Sequence, residues 1–305
     1  MLRRDLSRPI HVQSVVVCAV FAGLIAPAIR AEVRPLTLYE KVGRAPVVLW
    51  GEVTQGEARF ASVRTLDLLK CTIPEIPGAT LRIAFRLDSF LRNPWEDRIE
   101  FKTGEHVLLF LRKFTREDGD KPAGDLYTLM WGLQGKIVLP AEGEEAHIEA
   151  ARLMSSILST TDAGRQARML QEAVSSANPF VADASLTEVL KQGLADFAMM
   201  PRLVALLSAR REPARLLAMR ILAGIFQESR VAGREVPGRQ DLTDQLRARA
   251  AADSSPEMRV EAVRALEALG GEEVRAFLAR LAQEDTSQLV RYEAKKALLG
   301  WKEGS

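Results

Sequence analysis

The chain is short of the residues that usually carry chemistry. It has two cysteines and three histidines in 305 residues. Cys18 lies in a leader-like first segment and Cys71 stands alone after it, so the fold has no internal disulfide to lean on and must rest on a hydrophobic core. Cys71 itself reads as a small buried thiol, the alternative being an intermolecular link. Beyond the leader only His106 and His147 remain, and neither belongs to a metal-ligand spacing with a second histidine and a nearby glutamate. No GxSxG, no P-loop and no GxGxxG opening a helix is present. These absences point away from an enzyme, and no catalytic, cofactor-binding or metal residue is assigned. Charge of one sign is also missing. Charged residues make up 27% of the chain with a formal net charge of +2, so nucleic acid is not implied as a partner. Aromatics at 6% suit a helix-rich chain better than an all-β one.

What is present begins with residues 1–31. Arg3, Arg4 and Arg8 precede an uncharged apolar run at 15–28, and Ala26, Ala28 and Ala31 follow as small residues. That order predicts a secretory signal peptide, hence an exported protein, periplasmic or extracellular. A membrane span needs roughly 20 apolar residues, and this run is shorter; the alternative is a retained anchor over residues 10–31. Val15, Val16 and Val17 before Cys18 do not fit a lipoprotein acceptor, which has a small residue there.

Two periods divide the rest. From about 36 to 141 the apolar residues alternate. Leu81, Ile83, Phe85 and Leu87 share one face of "TLRIAFRLD" (80–88), and Arg82, Ala84 and Arg86 the other. "VVLWGEV" (47–53) and "HVLLFLRKF" (106–114) are denser, as for strands buried on both faces. Residues 61–69, 125–132 and 135–140 read as further strands, separated by "PEIPG" (74–78), "EDGDKPAGD" (117–125) and "LQG" (133–135). Five or six short strands predict a small closed or nearly closed barrel over 33–142. Glu117, Asp118, Asp120 and Asp125 invite a calcium reading, but Pro122 stands where the loop motif needs a ligand. Trp50, Tyr127 and Trp131 could stack bases; the export signal and the balanced charge favour a place in the barrel core or its mouth.

From about 143 the period becomes 3.6. Helices are predicted over 144–158, 163–176, 185–197, 200–209, 213–227, 241–252, 256–269, 272–284 and 287–300. "SSANP" (175–179), "AGREVPGRQD" (232–241) and Gly270–Gly271 divide them. Two stretches are near copies. Arg259, Glu261, Ala262, Ala265 and Leu266 align with Arg291, Glu293, Ala294, Ala297 and Leu298 at a constant spacing of 32 residues. An earlier copy at a spacing of 44 matches Arg215, Ala218, Ile221 and Leu222 to Arg259, Ala262, Ala265 and Leu266. One helix pair cannot bury its own apolar face, so the copies imply stacked pairs with a continuous core. Arg202, Arg210, Arg211, Arg220, Arg247, Arg249 and Arg280 are interleaved with Glu, which reads as a solvated helix surface.

Two resemblances follow from these residues. "VVLWGEVTQGEARFASVRTLDLLK", "FKTGEHVLLFLRKF" and "YTLMWGLQGKIVLP" resemble a β domain of exported bacterial proteins that is similar to the OB-like barrel of tissue metalloproteinase inhibitors. Those inhibitors place a cysteine at the mature N-terminus; the candidate mature ends here, near Ile29 or Glu32, carry none. "MRVEAVRALEALGGEEV" and "LVRYEAKKALLGW" resemble bacterial HEAT-type repeats over about 200–300, in a short form that also occurs in bilin-attaching lyases. The resulting expectation is an α+β multidomain chain: signal peptide 1–31, small OB-like antiparallel barrel 33–142, helical cap or degenerate repeat 143–199 and HEAT-type α-solenoid 200–305, with "WKEGS" closing a terminal cap. Its expected role is a non-enzymatic module or scaffold that binds protein partners. The alternatives are a hydrolase inhibitor acting through the barrel and a lyase-type enzyme.

Overall fold

The computed structural model describes residues 35–74, 77–85, 99–114 and 126–302. The leader at 1–31, the acidic loop at 117–125, the predicted strand end at 86–88 and the last three residues lie outside the described residues. Leu36–Ser305 form one compact unit. Among the described residues no helix is long and apolar enough to cross a membrane.

The unit opens with a helix where alternation predicts strand. In α1 (Leu38–Arg44), Thr37 and Glu40 form a reciprocal capping box: Thr37 Oγ1 accepts from the Glu40 amide at 3.1 Å, and Glu40 accepts from the Thr37 amide at 2.8 Å. The expectation of period two from residue 36 is corrected here. Seven residues are too few for a 3.6 period to register, and T-x-x-E at 37–40 was the signal that could have shown it. Lys70 takes the carbonyls of Val42 and Gly43 at the other end, at 2.6 and 2.9 Å.

Among the described residues six strands follow: β1 (Val47–Gly56), β2 (Phe60–Cys71), β3 (Thr80–Ala84), β4 (His106–Lys113), β5 (Leu126–Leu129) and β6 (Lys136–Val138). They pair in the order β1-β2-β3-β5-β4-β6, and β1 also pairs with β4, so five strands close into a barrel and β6 lies alongside β4. The pairings are antiparallel except β3 with β5, which is parallel. Val47, Leu49 and Val53 of β1 and Val107, Leu109 and Leu111 of β4 fill the barrel with Leu81, Ile83 and Tyr127. Gly51 lets β2 approach: a Cβ there would stand 2.5 Å from Val63 Cγ1 and 2.9 Å from the Arg64 carbonyl oxygen.

The other face of β1 and β4 explains their dense apolar runs. Val48, Leu108 and Phe110 point out of the barrel into a core shared with the helices. These are α2 (Glu144–Ser159), α3 (Ala163–Ala173), α4 (Pro179–Gln192), α5 (Met200–Leu206), α6 (Glu212–Val231), α7 (Arg239–Ala252), α8 (Pro256–Leu269), α9 (Glu272–Glu284) and α10 (Gln288–Lys302). Two predicted ranges run long, since α3 ends at Ala173 and α5 at Leu206. One is displaced. The helix expected over 185–197 runs from Pro179 to Gln192, because Asn178 caps it, Pro179 fits the first helical position, and Gly193 ends it at φ +62°. "SSANP" is thus part breaker and part helix start. In the repeat region α6 packs on α8 and α8 on α10, while α7 packs on α8, and α9 packs chiefly on α10 and also touches α7 and α8. The tight α8–α9 connection needs Gly270 and Gly271, at φ +69° and +111°.

Candidate interaction surface

The repeated residues fall into two sets. The first set is internal stitching. Arg215, Arg259 and Arg291 each reach back six residues to the loop before their own helix, donating through Nη1 to the carbonyls of Ala209, Asp253 and Asp285 at 2.9, 2.8 and 2.5 Å. Arg259 also grips the Asp285 carboxylate with two parallel bonds of 3.1 Å. Both side chains are buried, so Arg259 ties the loop before α8 to the loop before α10. Asp253 and Asp285 in turn accept from the amides of Ser255 and Ser287, at 3.1 and 2.7 Å.

The second set forms a charged ladder across α6, α8 and α10. Arg220 on α6 donates to Glu261 on α8 at 2.9 Å. Arg264 on α8 donates to Glu261 at 3.0 Å and onward to Glu293 on α10 at 2.8 Å. Lys296 on α10 lies 3.4 Å from Glu293. Each glutamate is buried at the base of the ladder and held from two sides, whereas the three basic groups are largely exposed. The hydrogen bond from Arg264 holds the Glu293 carboxyl below the usual carboxylate range, against the opposing push of burial. Burial pushes the nearby Glu267 the other way, upward. The surface is therefore a row of cations, one on each of three successive helices, anchored by buried carboxylates.

Apolar exposure concentrates at the same end. Leu289, Tyr292 and Leu299, three of the large exposed hydrophobics, share α10. Elsewhere a cavity of about 270 Å³ opens between α1, β4, β6, α2 and α4, lined by Leu38, Leu108, Ile137 and Phe180 with His147 and Asp183. Its polar rim is largely spent on the fold: Asp183 pairs with Arg211, Thr37 bonds Glu188 at 3.2 Å, and Thr187 bonds the Asp183 carbonyl at 2.8 Å.

The residues weighed from the sequence are dispersed. His106 starts β4, and its Nδ1 lies 2.9 Å from both Glu144 oxygens, joining barrel to α2. His147 stacks on Phe180 with ring centroids 3.7 Å apart. Among the described residues no group of three His, Cys, Asp or Glu side chains is placed to hold a metal ion. Cys71 is half-buried, its sulfur 3.6 Å from the Ile73 carbonyl. Tyr127 fills the barrel, while Trp50 and Trp131 pack outside it against the shared core. Trp50 Nε1 is buried with no hydrogen-bond partner among the described residues. The arginines expected on a solvated surface divide. Arg247 and Arg280 make surface pairs with Glu273 and Glu284, both at 3.9 Å, and Arg249 reaches the buried Asp253 carboxylate at 3.5 Å. Arg202 and Arg211 donate to the Gln171 and Pro179 carbonyls at 3.2 and 3.0 Å, Arg210 gives its carbonyl to Arg215 at 3.0 Å, and Arg220 opens the ladder. The ladder itself was not read from the sequence; its signal was Glu-x-x-basic at Glu261/Arg264 and Glu293/Lys296, repeated with the helices.

Residues 200–299 match the family described as HEAT repeats. The match spans α5 to α10 and coincides with the stitched loops and the ladder. No curated protein matches the chain. The barrel and the HEAT-matching helices together make an α+β chain, and HEAT repeats generally mediate protein–protein interactions.

Proposed function

We propose that the protein is an exported binding module in which a small OB-like barrel is fastened to a HEAT-type solenoid that engages a protein partner. The observation that carries the binding reading is the α6–α8–α10 ladder. Stacked repeats hold Arg220, Arg264 and Lys296 in register on one surface, with their carboxylate anchors buried beneath. Such a row gives a partner segment a contact on each of several successive helices, the use that solenoid surfaces generally serve. The strand order β1-β2-β3-β5-β4-β1, with β3 and β5 parallel, supports the OB-like reading of the barrel. Export rests on Arg3, Arg4 and Arg8 ahead of the apolar run at 15–28.

The test is intact mass of the chain from a fractionated native host, followed by cross-linking of that fraction. A mass matching loss of the segment up to Ala28 or Ala31, with a cross-linked envelope protein, is the expected result. A full-length mass in the membrane fraction would replace export of a free module by anchoring through residues 10–31. No cross-linked protein in any fraction would overturn the binding role.

A further inference from the structure

The outward face of α10 is built like an interior face of the solenoid. At the repeat spacing of 32, Tyr292, Lys296 and Leu299 correspond to Val260, Arg264 and Glu267 of α8. Helix α8 is flanked by α6 and α10, and Val260 is 5% exposed. Among the described residues α10 is flanked in that layer by α8 alone, and Tyr292 and Leu299 are 65% and 62% exposed. The outer layer of a solenoid ordinarily presents a polar face to water. This one presents Leu289, Tyr292 and Leu299 on a single helix.

The ladder says what would cover it. Arg220 reaches forward to a glutamate on the next helix of the layer, Glu261, and Arg264 reaches forward to Glu293. Lys296 holds the third position of that series; among the described residues it pairs with the glutamate three residues back on its own helix and lies near Glu267 on α8, with no glutamate ahead of it in the layer. We propose that this face takes an acidic amphipathic helix of a partner protein, docked on α10 as α10 docks on α8, with a partner glutamate meeting Lys296. The proposal rests on the protein-binding reading and names the surface and partner chemistry for it. In both internal precedents the receiving glutamate is followed by a small buried residue, Ala262 after Glu261 and Ala294 after Glu293. The partner helix therefore carries a Glu-small pair within its apolar stripe, so that the two backbones can approach. A second copy of this chain is a poorer occupant. Packing α10 on α10 through this face sets Lys295 and Lys296 against their counterparts, and juxtaposed like charges disfavour the contact.

The probe is a helix-stapled, fluorescent peptide of residues 286–302 of this chain in which Lys295, Lys296 and Lys302, off the docking face, are each replaced by Glu; it is acidic and keeps Glu293 and Ala294 on its docking face. Anisotropy titration with the full chain should show saturable binding. Leu299→Asp in the chain should abolish it, and Tyr292→Asp should do the same. Both side chains are exposed, so circular dichroism and melting temperature should match the parent. Lys296→Glu should weaken binding about tenfold, and a peptide with Glu293→Lys should recover that loss on the Lys296→Glu chain. Binding indifferent to Leu299→Asp and Lys296→Glu, or no binding at all, overturns the proposal. So does sedimentation showing that the chain alone dimerises and that Leu299→Asp makes it monomeric, which would assign the face to a second copy. Native cross-linking separates the two levels. A partner retained by Leu299→Asp leaves the binding role standing and removes this face from it. No partner for the parent chain removes both.

Discussion

Arg259 shows how one side chain can hold two repeats in register. Its guanidinium bonds the Asp253 carbonyl at 2.8 Å and both oxygens of Asp285 at 3.1 Å, with little access to water. Removing one partner of a buried pair leaves the other charge uncompensated, at a cost of roughly 3–5 kcal/mol. Arg259→Leu should lose about that much stability in urea unfolding, far more than Arg280→Leu, whose pair with Glu284 is exposed. Two neighbouring carboxylates should give opposite pH responses. Glu293 is depressed by its bond from Arg264. It stabilises the fold above its ordinary value of about 4.3, and that contribution is lost as pH falls through the depressed value. Glu267 is raised by burial. It costs nothing below the ordinary value, and its penalty grows as pH rises through the raised one. Glu293→Gln should therefore lower the melting temperature at neutral pH, with the deficit shrinking in acid. Glu267→Gln should raise it at neutral pH, with the gain gone by about pH 4.

Element boundaries follow from caps as much as from periodicity. Asn178 accepts from the Phe180 amide at 3.0 Å and donates to the Ala146 carbonyl at 2.6 Å, so it starts α4 and pins that start to α2. Asn178→Ala should cost about 1–2 kcal/mol in chemical denaturation, the upper part of the range for a cap, since it also removes the bond to the Ala146 carbonyl. The six strand positions and the helices α6 to α10 were legible because each keeps one period long enough to register. Helix α1 was not, since its seven residues make only about two turns, and a single pair of buried residues three apart, Tyr39 and Val42, is too little to establish a period. The displacement of α4 has a related cause: proline reads as a breaker, yet after a capping asparagine it opens a helix.

At the scale of the molecule the barrel and the helices share one core. Val48, Leu108 and Phe110 leave the barrel wall and pack with Met154, Ile157 and the buried residues of the repeats. His106 and Glu144 join the same two parts at their edge. Calorimetry of residues 36–305 should show one cooperative transition. Phe110→Ala, which empties a fully buried site in the shared core, should cost about 3–5 kcal/mol and shift tryptophan fluorescence and helical circular dichroism together. Separate transitions for the two signals would show that the parts fold independently.

By itself the sequence determined the two periods, the near-identical helices and the small residues that let them stack. Each of these is a local property, written in the spacing of side chains along one segment. The tertiary structure alone decided which charges meet. Arg220 and Glu261, Arg264 and Glu293, and Arg259 and Asp285 lie 41, 29 and 26 residues apart, and each pair forms only because stacked helices bring them within hydrogen-bond reach. It also decided which apolar residues stay uncovered. Val260 and Tyr292 occupy equivalent places in two copies of one helix, and they differ in exposure because, among the described residues, α8 has a neighbour on both sides of its layer, whereas α10 has one.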